Sequence, residues 1–556
     1  MTTPSEPITL AEYLGHRLRQ AGVDHLFGVP GDFNLTLLDL VTTVPGLEWV
    51  GSPNELGAGY AADAYARRRG LAALVTTYGV GELSCLNAVA GSAAEDVPVV
   101  HIAGSPATGA VAARRPLHHT LADGVFDRFE KAFAEVTVHQ ETVTAEHATE
   151  QVDAVLLAAL THRRPAYLSI PQDLAGLPVD PAPLRKPLRA APDEAAVGEF
   201  AHELSRLMDG AGRPVLVVGH LVSRFGLAGQ VLSAARAANI PLVTTLAAKG
   251  AIDASEPLHR GDYAGTMVDA STAGLVDGAD LVIELGTVVS DVLSGFFTHR
   301  PAGIRTVRIG ATSATVGPDG TGSTHPVLFT DAVRVLEDHC QKYRFADQPT
   351  ADPVPPRHPE FGDDAITQES LWRTAGSWLP SGTAVLADTG TAFWGAVSMT
   401  LPDDTVFVGQ PVWNSIGYAL PATLGQGLAD PGRRPVLFIG DGAAQMTIQE
   451  LSTIARHGLN PVIVLIDNAG YTIERALQSP KAGYNDIAAW DWAGLASSMI
   501  GAGRLEASTV RTTDELRTAL DAAPADRIVL VHAVLDMFDA PTLLRKLAER
   551  NSGSAR

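Results

Sequence analysis

The chain is poor in cysteine, in basic charge and in long apolar runs. Its two cysteines, Cys85 and Cys340, form neither a CxxC pair nor a disulfide framework, which excludes a disulfide-built fold and fits a reducing compartment. Against 62 acidic side chains there are only 41 Lys and Arg, giving a formal charge of −21. That imbalance excludes sequence-independent nucleic-acid binding, which needs a basic face, and argues against docking on anionic membranes. It leaves the sign of a small-molecule substrate open, because a local pocket can differ from the average. No apolar run approaches the ~20 residues of a membrane span; residues 461–466 (PVIVLI) read as a buried strand. Residues 1–7 lack a basic segment leading into an apolar one, so a cytoplasmic protein is expected. The middle third lacks a GxGxxG fingerprint, so nothing there calls for a nucleotide and a structural role is expected.

What is present is 556 residues with 46% hydrophobic and 19% charged side chains, the composition of a globular protein of three or four domains at ~150 residues each. Short apolar runs alternate with amphipathic stretches, the pattern of parallel-sheet α/β domains. Strands are predicted at 97–102, 214–218, 281–285 and 435–439. Two proline-dense stretches, 177–184 and 347–356, cannot continue helices or central strands and read as linkers. They divide the chain into domains of about 1–180, 190–345 and 365–556.

The strongest chemical signal lies in the third domain. A strand runs into Gly440-Asp441-Gly442, and a helix with Ile448, Leu451, Ala455 and Leu459 on one face is expected to follow. The next strand ends in Asp467-Asn468-Ala469-Gly470, with Asn468 27 residues after Asp441. In a parallel sheet both strand ends share the carboxyl edge, where ligands bind. Glycines allow close backbone approach, a helix N-terminus offers free N–H groups to a phosphate, and Asp441 and Asn468 are oxygen donors suited to Mg²⁺ or Ca²⁺. Alone, a GDG is more often a turn; with Asn468 at that distance the whole pattern resembles the thiamine-diphosphate binding motif, and that resemblance implies a cation joined to a diphosphate.

The first domain holds several segments that are unremarkable one by one. GVPGDFN begins at Gly28 and places Asp32 in a tight turn. Asn54 opens a helix with Glu55 in its first turn, which could simply complement the helix dipole. TTYGVGELS begins at Thr76, and LHHT carries His118 and His119, which could be one core and one surface residue.

Together these segments, with QPVWNSIGY from Gln410, the GDG…DN pattern and GYTIE from Gly470, resemble the thiamine-diphosphate-dependent 2-oxo acid decarboxylases from Ile8 to about Leu547. That family includes pyruvate, indolepyruvate, phenylpyruvate and branched-chain 2-oxo acid decarboxylases. The paired histidines and GYTIE set it apart from the carboligating acetolactate synthases.

The resemblance implies three doubly wound parallel-sheet α/β domains: pyrimidine-binding, middle and diphosphate-binding. It implies thiamine diphosphate and Mg²⁺ as cofactors, with Asp441, Asn468 and the Gly470 carbonyl on the metal. Thr389, Gly390, Thr391, Ser415, Gly440, Gly442, Ala443, Tyr471, Thr472 and Ile473 would line the cofactor, and Ile416 would support its bend. Glu55 would hydrogen-bond the pyrimidine, while Asp32, His118, His119 and Glu474 would carry the remaining proton transfers. Because the two cofactor-binding domains come from different subunits in this family, a homodimer at minimum is implied, commonly a homotetramer. Asp467 and Asp388 stand where the family usually has Asn and Glu. Val292 replaces a large aromatic residue of strict pyruvate decarboxylases and should enlarge a pocket walled by Phe393, Ile473, Leu544 and Leu547. The leading expectation is decarboxylation of an aromatic or branched-chain 2-oxo acid. Pyruvate decarboxylase proper, an acetolactate-type carboligase and an inactive scaffold subunit are the alternatives.

Overall fold

The computed structural model describes residues 6–299, 303–318, 321–346, 364–501 and 503–554. The stretch 347–356 expected as a linker lies outside them. The chain divides into two compact units, Met1–Ala191 with Pro421–Pro431, and Pro192–Leu420 with Gly432–Arg556.

In the first unit the strands Glu48–Gly51, His25–Gly28, Ala72–Thr77, Val99–Ser105, Ala166–Pro171 and Gln140–Thr142 lie side by side in that order, all parallel. Three of them, Ala72–Thr77, Val99–Ser105 and Ala166–Pro171, are buried along their whole length. Helices on both faces leave such strands no solvent side, so they carry near-continuous runs of apolar and small residues. Numbered in chain order, the sheet runs 2-1-3-4-6-5.

The last sheet of the second unit repeats that order with Val406–Val408, Ala384–Ala387, Pro435–Gly440, Val462–Asp467, Ile528–Val534 and Leu505–Val510, again all parallel. Between the two in sequence, a seven-stranded sheet has five parallel strands in the order 3-2-1-4-5. It then adds Ala314–Pro318 and Ser323–His325 antiparallel at one edge. The expected three parallel-sheet α/β domains are present, and this edge is an addition to them. An antiparallel neighbour needs no crossover helix, so a short reversal after Ile309 suffices.

Two local expectations are corrected. Residues 177–184 are docked: Pro178–Val179 pairs antiparallel with Ile8–Thr9, and Leu184 is buried. A two-stranded ladder tolerates Pro178 because its nitrogen faces no required acceptor. The helix expected after the GDG is split into Asp441–Thr447 and Glu450–Arg456. Its turn is tightened by the Leu451 N–H donating to the Ile448 carbonyl at 3.1 Å, an i to i+3 bond.

In both six-stranded sheets the order reverses between strands 1 and 3, the switch point where ligands of open α/β sheets bind. The segments leaving those strand ends are 28–34 and 77–81 in the first sheet, and 388–391 and 440–443 in the last.

Candidate active site

The first unit gathers the predicted proton-handling groups. Asp32 opens a short 3₁₀ turn, Asp32–Asn34, directly after its strand. Gly31 is required there because the Thr77 side chain occupies the space of a Cβ. Asp32 Oδ2 lies 2.6 Å from His118 Nε2, and Asp32 Oδ1 lies 3.6 Å from His119 Nδ1. The two imidazoles meet edge-on at 4.6 Å, and Phe33 stacks on His118 at 5.0 Å. Asp32, His118 and His119 therefore form one half-open cluster. Glu55 starts the helix Glu55–Arg69, whose cap is local: Asn54 Oδ1 accepts the Gly57 N–H at 2.7 Å. A Cβ on Gly81 would sit 3.3 Å from Glu55 Oε1, so the TTYGVG turn passes close beneath that carboxylate.

The second unit carries the anion- and cation-binding candidates. Asp441 begins the helix Asp441–Thr447 as the strand Pro435–Gly440 ends. Its Oδ1 accepts the Gly442 N–H at 2.8 Å and its Oδ2 accepts the Gly470 N–H at 3.0 Å. Asn468 is 2% exposed, and its Oδ1 has no hydrogen-bond partner among the described residues. An orphaned buried acceptor costs about 1–3 kcal/mol unless a ligand meets it. A buried carboxylate and an orphaned amide oxygen at one strand edge fit a hard divalent cation. Burial pushes Asp441 above the usual carboxylate range, and the neighbouring Asp467 adds to the rise. Asp467 itself is held low, first by its 2.7 Å contact with His532. Gly470 has φ +127°, and a Cβ there would collide with the Asn485 carbonyl. A Cβ on Gly442 would strike the Tyr471 ring, so the 440–443 backbone is kept bare where the chain is tightest.

Thr389, Gly390 and Thr391 follow the first strand of the same sheet, with Gly390 at φ +109° ahead of the helix Thr391–Ala396. Asp388 is completely buried; its Oδ1 accepts the Gly417 N–H at 2.9 Å and its Oδ2 the Ala419 N–H at 2.7 Å. Burial lifts its carboxyl to about 7. Gln410 Oε1 accepts the Ser415 N–H at 3.1 Å, and the Thr447 hydroxyl donates to the Gly417 carbonyl at 2.8 Å. The 415–417 loop is thus fixed from both sides, with Ile416 left half-buried.

Glu474 stands exposed on the first turn of the helix Thr472–Leu477. Thr472, expected beside the cofactor, has its hydroxyl committed to the Met537 carbonyl at 2.9 Å. Ala443, Thr391 and Thr472 are buried, while Thr389 and Tyr471 are half-exposed. The five expected substrate-pocket residues share one apolar cluster. Phe393, Leu544 and Leu547 are buried members of it, whereas Val292 and Ile473 are only partly buried. Phe393 is buried within that cluster, where it packs edge-on against Trp394 and where a Cβ on Gly409 would meet its ring.

Sequence reasoning missed Glu82, Tyr167, Gln410 and His532. Glu82 had a visible signal, an acid three residues after a glycine at a strand-to-helix turn. Gln410 acts locally, on the Ser415 N–H five residues on, whereas Tyr167 and His532 act across the fold and left none.

Two α/β sheets of one topology, one edged by acid and imidazole and the other by a buried Asp–Asn pair, are the frame of a thiamine pyrophosphate enzyme. Residues 8–131, 201–328 and 388–533 match respectively the N-terminal TPP binding domain, the central domain and the C-terminal TPP binding domain of that class. An alpha-keto-acid decarboxylase of Mycolicibacterium paratuberculosis is 40% identical over 556 residues, covering 99% of this chain and 98% of its own. A Mycobacterium tuberculosis protein of the same name is 41% identical over 552 residues, covering 98% and 97%. The Rhodococcus jostii thiamine diphosphate-dependent 4-hydroxybenzoylformate decarboxylase shares the fold with a TM-score of 0.77 at 22% identity, covering 96% of this chain and 100% of its own. The chain belongs to the thiamine-diphosphate-dependent 2-oxo acid decarboxylases, a family of carboxy-lyases. Among the described residues no helix is long and apolar enough to cross a membrane.

Proposed function

We propose that the substrate is a 2-oxo acid with a large apolar side chain, converted to the aldehyde and CO₂. The aromatic phenylpyruvate and indolepyruvate and the branched-chain 2-oxoisocaproate are the candidates. The observation that carries this reading is the partly exposed pair Val292 and Ile473 on the rim of one apolar cluster, where neither side chain is aromatic. Each well-placed methylene contributes only ~1–3 kcal/mol to discrimination, so the preference is broad.

Asp441, Asn468 and the Gly470 carbonyl would hold Mg²⁺ against the diphosphate. Thr389, Gly390, Thr391 and residues 440–443 would line it, with Ile416 under the bend. When bound, thiamine diphosphate supplies the electron sink that lets the carboxylate leave as CO₂. Glu55, on a helix turn fixed by the Asn54 cap, would hold a proton at the pyrimidine nitrogen. Asp32 Oδ2 and His118 Nε2, 2.6 Å apart, form a hydrogen-bonded pair whose open side would deliver a proton to the substrate. His119 and Glu474 complete the set of exchangeable protons. The two half-sites are supplied by different subunits of a cytoplasmic homodimer, paired further into a homotetramer.

The test is aldehyde release from pyruvate, 2-oxoisocaproate, phenylpyruvate and indolepyruvate, with and without thiamine diphosphate and Mg²⁺. Cofactor-dependent turnover fastest with the larger acids supports the reading. Fastest turnover of pyruvate overturns the pocket argument, acetolactate as main product makes the protein a carboligase, and no product from any acid makes it a scaffold.

A further inference from the structure

Beneath the Asp32–Glu55–histidine edge lies a buried polar network that the chemistry above does not use. Glu82, three residues into the helix Val80–Ala94, is completely buried. Its Oε1 accepts the Gly79 N–H at 2.7 Å, and its Oε2 accepts the Tyr167 hydroxyl at 2.8 Å from the strand Ala166–Pro171. Tyr167 is locked in turn, stacked on Phe133 at 5.1 Å and met edge-on by His101 at 5.4 Å. The Thr76 hydroxyl and His101 Nε2 are 2.9 Å apart, and the Cys85 thiol donates to the Glu82 carbonyl at 3.1 Å.

What this network grips is the turn from Tyr78 to Gly81. Gly79 sits at φ +64° and ψ −90°, a conformation that needs glycine and an external hold. A Cβ on Gly79 would collide with the His119 carbonyl, and one on Gly81 would lie 3.3 Å from Glu55 Oε1. The turn is therefore wedged between two groups of the proposed site. We propose that Glu82, backed by Tyr167, is a positioning residue that sets the 78–81 turn, and through it Glu55 and His119, at their working heights. This rests on the decarboxylase reading of the site.

The placement makes the site sensitive to the charge on Glu82. Burial lifts this carboxyl to about 7, against its hydrogen bonds from Gly79 and Tyr167, and Glu130 raises it further. The groups facing it are Tyr167 from its strand, Cys85 on its own helix, Tyr78 in the turn and Glu130 from Arg128–Ala134, while His101 from Val99–Ser105 and Glu55 from Glu55–Arg69 act on Cys85 beside it. None supplies a cation: burial holds His101 at about 3, leaving it neutral. Ionised Glu82 accepts both donors as charge-assisted hydrogen bonds, roughly twice as strong as neutral ones. The turn is therefore gripped harder above pH 7 than below it.

The experiment compares wild type, Glu82→Gln and Tyr167→Phe. Their kcat and KM are measured with phenylpyruvate between pH 5.5 and 8.5, and amide exchange of the 77–82 peptide in cofactor-free protein. The wild-type kcat/KM should show a rising step near pH 7 that disappears in Glu82→Gln. At pH 7.5 that variant should lose about tenfold in kcat with little change in KM, and its 77–82 amides should exchange about tenfold faster, the loss of one good hydrogen bond. Tyr167→Phe removes a donor to the ionised form, so the step should persist but move upward by about half a pH unit. An unchanged pH profile and unchanged exchange in Glu82→Gln overturn the proposal. If that variant fails to fold, an unmoved step in Tyr167→Phe overturns it equally. Faster exchange in Glu82→Gln with no aldehyde from wild type on any acid would instead sink the decarboxylase reading and leave the grip on the turn standing.

Discussion

The first and last sheets have the same construction, six parallel strands ordered 2-1-3-4-6-5, yet their carboxyl edges present opposite chemistry. In the first sheet the ionisable groups stand half-open, with the Asp32, His118 and His119 side chains 48%, 60% and 30% exposed. At the same place in the last sheet, Asp441 and Asn468 are both 2% exposed. Groups in contact with solvent can exchange protons with a substrate; groups shut away from it present fixed oxygen donors suited to holding a ligand. A shared strand order, compatible with an old duplication, decides where each half-site sits, and the burial of the loops decides what it does.

That division is broken most directly at the closed edge. Asp441→Ala should remove the anchor of the diphosphate half. Thiamine diphosphate would no longer co-elute with the protein on gel filtration, and aldehyde release would fall by about 10³-fold or more. Chelation followed by dialysis should do the same to the unaltered protein, reversed by adding Mg²⁺; cofactor retention in either case would show that the closed edge is not the anchor. At the open edge the signature should invert. Glu55→Gln is expected to keep the cofactor while losing turnover by about 10³-fold. Asp32→Asn, which takes one member from a shared proton cluster, should cost about 10²-fold with cofactor content unchanged. If Asp32→Asn instead released the cofactor, the two edges would not be divided as argued.

Much of this contrast could be read from the chain, and the limits of that reading are physical. The strands 214–218 and 281–285 stand where predicted, because a strand buried on both faces has no option but an unbroken apolar run. Asn54 was legible as a cap because its acceptor and donor are three residues apart. Asp441 and Asn468 were legible because neighbouring parallel strands end on one edge. Tyr167 was not, since its partner Glu82 lies 85 residues away in sequence. His532 was hidden for the same reason, 65 residues from Asp467. The close approach of Gly409 to the Phe393 ring was not legible either, since nothing local to either residue records it. Residues 177–184 carried the composition of a linker, and nothing local records that Pro178–Val179 meets Ile8–Thr9.

The smallest expected effect concerns a buried glutamate in the last domain. Glu82 of the first domain has two hydrogen-bond donors, whereas Glu450, at the start of the helix Glu450–Arg456, is completely buried with neither carboxyl oxygen hydrogen-bonded in good geometry among the described residues. Burial lifts Glu450 from 4.5 to about 7, and the Thr453 side chain offsets only part of that rise. The sign of the consequence follows from proton counting. Between pH 4.5 and 7 the unfolded chain has released this proton while the folded chain keeps it. Rising pH therefore favours unfolding over that window, and the penalty stays in full above it. Glu450→Gln keeps the shape and removes the charge, so it should leave Tm unchanged near pH 4.5 and raise it by about 2–4 °C at pH 8. Thermal unfolding of the cofactor-free protein at the two pH values measures this directly. A Tm that falls at pH 8 would mean that ionised Glu450 is stabilised within the fold, and the contrast between a partnered acid in one domain and an unpartnered one in the other would fail.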